Sequence, residues 1–105
     1  MKYAKRVDDS HRAVSEAFRV SGWLVLDTHA LANFVDLVVY GCRRGNVDRH
    51  WSAERRVFLI EVKRPDKVAR PSAYTSAQKK LAQDGWPVVT LCSETDVINF
   101  IENRP

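Results

Sequence analysis

Three side chains interrupt apolar runs where packing alone asks for no charge. Asp36 stands inside Phe34-Val35-Asp36-Leu37-Val38-Val39-Tyr40. Glu61 and Lys63 close the run Val57-Phe58-Leu59-Ile60-Glu61-Val62-Lys63. Burying an isolated carboxylate costs several kcal/mol unless something compensates it. Strand alternation puts Glu61 and Lys63 on one face and Val62 on the other. Taken singly, each has an ordinary explanation: Glu61 emerges into water at a strand end, or Asp36 pairs with an arginine. Taken together they point to chemistry. Two adjacent carboxylates repel unless a cation shares them, and a hard divalent ion is the usual solution. An all-oxygen set suits Mg²⁺ or Mn²⁺, because no His or Cys pair has zinc-site spacing. A lysine one pleat away can orient or deprotonate a water and stabilise charge developing on phosphate. His11, His29 and His50 stand apart in sequence and are expected at caps, in loops or on the surface.

The elements that must position these groups follow from periodicity and chain breakers. Residues 10 to 21 read as a helix with an apolar stripe of Val14, Ala17 and Phe18, capped by Asp9 or Ser10 and ended by Gly22. Trp23 to Leu26, Phe34 to Tyr40 and Val57 to Lys63 read as three strands, with a polar, Arg-rich loop from Gly41 to about Arg56. After Pro65 and Pro71, residues 76 to 84 read as a helix closed by Gly85. Val88 to Cys92 is a fourth strand, and Ser93 caps a last helix carrying Val97, Ile98 and Ile101 on one side. Trp23 and Trp86, each following a glycine, are expected in the core. Early strands joined by loops suit antiparallel pairing, and the strand–helix–strand unit from 57 to 92 suits a parallel pair. The expected class is α/β: a mixed sheet with helices on both faces.

Length and composition narrow the field. The 105 residues fit one domain, residues 1–105, and two independent cores would each be near the lower limit for folding. Hydrophobic residues at 45% and charged ones at 29% exclude a collagen-like or largely disordered chain. No run approaches a membrane span, and the basic-then-acidic N-terminus lacks an apolar signal region, so a cytoplasmic protein is expected. Cys42 and Cys92 are too few for a disulfide framework and read as reduced, buried thiols. The net charge is +4, yet residues 43 to 70 alone carry nine basic and four acidic side chains, net +5, so the remainder is −1. That concentration suggests an anionic partner, against the plainer reading of a solvated loop. Arg43, Arg44, Arg49, Trp51, Arg55 and Arg56, followed by Arg64, Lys67 and Arg70, combine phosphate-binding cations with an aromatic on which a base can stack.

Asp36, followed 24 residues later by Glu61-Val62-Lys63, resembles the signature of the PD-(D/E)XK nucleases. Tyr74-Thr75-Ser76-Ala77-Gln78 is similar to the Gln-bearing segment of the small VRR-NUC and Holliday-junction-resolvase-like members. The similarity spans roughly residues 10 to 98. One departure is Val35, where the family usually has proline. The resemblance implies a restriction-endonuclease-like αβββαβ core plus a C-terminal helix. It implies that Asp36, Glu61 and the carbonyl of Val62 bind Mg²⁺ or Mn²⁺, with Glu16 an outer or second-metal ligand. Lys63 would position the attacking water, and Gln78 would bridge the lysine or the water to phosphate. The implied function is a metal-dependent endonuclease for branched or structured DNA, of phage or mobile-element type, acting as a homodimer. The first helix and the arc of Val97, Ile98, Phe100 and Ile101 are candidate dimer surfaces, unless that arc closes the core. No membrane and no organic cofactor is expected. The rival reading is a non-catalytic nucleic-acid-binding or assembly module on the same fold.

Overall fold

Among the described residues, two of the three helices end in the same local device. The computed structural model describes residues 9–31, 34–43, 55–64 and 76–103. In chain order these form α1 (Asp9–Val20), β1 (Leu24–Asp27), β2 (Leu37–Gly41), β3 (Arg56–Val62), α2 (Ser76–Gln83), β4 (Val88–Leu91) and α3 (Glu94–Ile101). At the end of α1, Gly22 N–H bonds to Arg19 O and Trp23 N–H to Phe18 O, with Gly22 at φ 85°. At the end of α2, Gly85 and Trp86 repeat the pattern onto Ala82 O and Leu81 O, with Gly85 at φ 91°. This is the Schellman closure, in which a left-handed glycine satisfies the last carbonyls. The start of α3 is capped by the Ser93 hydroxyl, which accepts from Asp96 N–H.

The four strands run in the order β1-β2-β3-β4. β1 and β2 pair antiparallel, as do β2 and β3, and β3 pairs with β4 in parallel across the α2 crossover. The α/β class, the mixed sheet and the C-terminal helix are as the sequence predicts. One face, carrying Leu37, Val39, Ile60, Val62 and Leu91, is closed by Val14, Ala17 and Phe18 of α1 and by Val97 and Phe100 of α3. Trp23 joins that core and lies flat against Gly41, where a Cβ would collide with its ring. The opposite face is open over much of its area, with Leu24 and Leu26 each 63% exposed and Tyr40 and Val57 also exposed. Among the described residues, no helix is long and apolar enough to cross a membrane.

Four expectations need correction. β2 starts at Leu37, not Phe34: backbone bonds reach as far as Asp36, whose carbonyl accepts from Thr28 N–H and whose own N–H donates to Ile60 O. Side chains join in there, Thr28 Oγ1 donating to Val35 O at 2.7 Å and Val62 N–H to Asp36 Oδ2 at 2.8 Å. Trp86 is 56% exposed; its corner has the Schellman bonds of Trp23 but, among the described residues, no aromatic cluster like the one that covers Trp23. In α3, Val97 and Phe100 are buried in the core, so the arc closes the domain and only Ile98 of its large side chains is exposed. Cys42 and Cys92 are free thiols but only half-buried; burial, then the neighbouring Asp96, raises the pKa of Cys92.

Candidate functional site

The antiparallel register sets the site. Leu37 faces Ile60, so Asp36 falls opposite Glu61, and Asp36 N–H donates to Ile60 O at 3.1 Å. Directly opposed residues share a face, which places both carboxylates on the side away from α1 and α3. Asp36 Oδ2 accepts from Val62 N–H. A strand residue aims its N–H and C=O at the same neighbour, so the Val62 carbonyl also lies on the Asp36 side.

Glu61 is 2% exposed, and neither of its carboxylate oxygens has a hydrogen-bond partner among the described residues. Its nearest cation is Lys63 Nζ, 3.6 Å from Oε2. Burial foremost, then the charge of Asp36, pushes the Glu61 pKa up to about 7, while Lys63 pulls the other way. Lys63 is held from its far side, where Nζ donates to Gln78 Oε1 of α2 at 3.1 Å. Asp36, Glu61, Lys63 and Gln78, which the sequence scatters over 43 residues, therefore meet in one place. A buried carboxylate with two unserved oxygens, beside a second carboxylate and a backbone carbonyl, fits a hard divalent cation.

The helix contributes a different residue from the one the sequence suggests. Glu16 is exposed on α1 and makes no hydrogen bond or ion pair with the described residues. His11, on the first turn, is the one that reaches the site. It is 4% exposed, its Nε2 lies 3.2 Å from Asp27 Oδ2, and its ring centroid is 4.8 Å from that of His29. His29 Nδ1 in turn lies 3.4 Å from Asp36 Oδ1, and His29 N–H donates to Asp27 Oδ1 at 2.9 Å. Burial opposes ionisation of Asp27, but that backbone bond and the two histidines outweigh it and hold its pKa below the usual range. Two of the three isolated histidines of the sequence are thus a pair, and His50 lies outside the described residues. Rise per residue was the signal: ten helical steps back from the α1–β1 corner cover about 15 Å, and five or six strand steps forward cover about as much.

The basic side chains divide. Arg43 is committed to the end of α3: its Nε donates to Phe100 O at 2.8 Å, its Nη2 to Asn103 Oδ1 at 2.7 Å, and its guanidinium stacks 4.2 Å above the Phe100 ring. Its expected role on DNA gives way to a helix-capping one. Arg55 and Arg56 are exposed at the opposite end of β3, ~17 Å along the strand from Glu61. Arg64 is exposed one residue beyond Lys63, beside the site. Arg44, Arg49, Trp51, Lys67 and Arg70 lie outside the described residues. No family model, curated protein or solved structure matches this chain.

Proposed function

We propose that the protein is a divalent-metal-dependent endonuclease that hydrolyses phosphodiester bonds in branched or otherwise structured DNA. The observation that carries the reading is Glu61: a carboxylate sealed in the sheet opposite Asp36, with no donor on either oxygen among the described residues. An apolar residue would be more stable there, and burying such a charge is intelligible if an ion completes it. Asp36, Glu61 and the Val62 carbonyl would hold Mg²⁺ or Mn²⁺, which supplies Lewis acidity at phosphate and acidifies a bound water. Lys63, anchored by Gln78, is placed to orient that water and to offset charge growing on the phosphate oxygens. Arg64 adds a cation beside the site for a backbone phosphate. Recognition of DNA shape and backbone rather than base sequence is part of this reading. A homodimer in the cytoplasm of a bacterium or an infected host completes the reading, with contacts other than the α3 arc.

The test is cleavage of a supercoiled plasmid and a four-way junction with Mg²⁺, Mn²⁺ or EDTA. Asp36→Asn keeps an acceptor for Val62 N–H while removing the charge. It should reduce cleavage to the EDTA background, a loss of ~10² or more, and leave DNA affinity within a few-fold. Metal affinity should fall as pH drops below about 7, because Glu61 must lose its proton to bind. Tight DNA binding by the wild type with no cleavage in any metal would turn the reading to the non-catalytic module.

A further inference from the structure

We propose that His11, His29 and Asp36 form a second cation position, distinct from the all-oxygen one at Glu61, which selects a transition ion such as Mn²⁺, Co²⁺ or Zn²⁺ over Mg²⁺. The position stands on its own geometry and does not require that the chain cut DNA. One ligand atom from each of the three side chains lies within 4.8 Å of the other two. Three ligands sharing one ion at bonds of about 2.1 Å lie about 3.4 to 3.6 Å apart, so side-chain shifts of about 1 Å close the set.

Three further features support it. The first is orientation. Asp27 holds His11 through Nε2 and is itself fixed by the His29 backbone N–H, a carboxylate–histidine arrangement that fixes the orientation of the ring. The second is an unserved polar atom: His29 Nε2 is buried with no hydrogen-bond partner among the described residues. A ring that turns to share an ion with Asp36 relieves that cost. The third is charge. Among the described residues, Asp27, Asp36 and Glu61 bring three carboxylates together, and the ammonium of Lys63 is engaged with Glu61, on the far side of Asp36 from the histidines. Asp36 faces both groups, Glu61 opposite it in the sheet and His29 beside it at 3.4 Å, and so joins the two positions. Two imidazole nitrogens and one carboxylate favour later first-row divalent ions, whereas Mg²⁺ prefers an all-oxygen shell.

The experiment loads the full-length, metal-free protein with Mn²⁺, counts bound equivalents, and records pulsed EPR for directly coordinated ¹⁴N. Wild type should bind two equivalents and show ¹⁴N couplings. Glu61→Gln should bind one and keep the couplings. His29→Gln should bind one and lose most of them, with Co²⁺ affinity reduced at least tenfold. Wild-type spectra without ¹⁴N coupling at saturating Mn²⁺ would overturn the proposal, and they decide it even where a variant fails to fold. A single wild-type equivalent that Glu61→Gln abolishes together with the couplings would also overturn it, since one shared ion would then account for everything. A protein that shows the couplings but cuts no DNA upholds this position and refutes the nuclease reading alone.

Discussion

The Gly22-Trp23 and Gly85-Trp86 corners have the same local chemistry and opposite fates. Each closes a helix with the same two backbone bonds and the same left-handed glycine, yet Trp23 is 6% exposed and Trp86 is 56% exposed. Local sequence dictates the corner; whether its tryptophan is buried depends on what else packs there. Trp23 sits under α3 among Phe18, Phe58 and Phe100, with ring centroids 5.3 to 6.1 Å away. Trp86 ends the helix that serves the candidate site, where the large buried side chain is a carboxylate. One side of the sheet thus uses burial to hold the fold together, and the other spends it on charge.

Replacing the tryptophans should expose that asymmetry. Trp23→Ala should have the largest effect, ~3–5 kcal/mol read from the urea midpoint, because it empties the space between Gly41 and the aromatic cluster. Glu61→Gln should act in the other direction. The Glu61 pKa is raised from 4.5 to about 7 on folding, so the native state binds the extra proton and metal-free stability falls as pH rises across that window. The loss is complete above about 7. A tenfold change in proton affinity is worth ~1.4 kcal/mol, so the variant should gain up to about 3 kcal/mol at pH 8 and nothing at pH 4. Added Mn²⁺ should raise the wild-type melting temperature more than that of Glu61→Gln. A flat wild-type stability between pH 4.5 and 7 would mean that Glu61 is solvated. Smallest is Trp86→Ala, expected within ~0.5 kcal/mol of wild type by the same denaturation.

What the sequence makes legible follows from the range of the interactions. Helix stripes, the two glycine stops and the Ser93 cap depend on neighbours a few residues apart, and the elements follow one another along the chain as periodicity places them, the start of β2 aside. The meeting of Asp36 with Glu61 was legible because a charge inside an apolar strand is costly wherever the strand goes. The His11–His29 pair was not, since neither residue breaks a pattern, and only the relative rise of helix and strand joins them. Arg43 misled for the opposite reason: it stands first in a basic run, while its partners Phe100 and Asn103 lie 57 and 60 residues away.

Phe100 gives that long reach a consequence in time. Its ring meets Phe18, Trp23 and Phe58 and carries the Arg43 guanidinium, so α1, β3 and the exit of β2 all converge on one late residue. On a ribosome, the β2–β3 pair that brings Asp36 opposite Glu61 is complete some forty residues before Phe100 is added. Through this interval α1 can cover only its share of the core face, and the rest of the closure waits on contacts of high sequence separation, the slow kind. A two-stranded pair is marginal by itself, so the register that sets Asp36 opposite Glu61 is secured only once Phe100 of α3 docks on α1, β3 and the exit of β2.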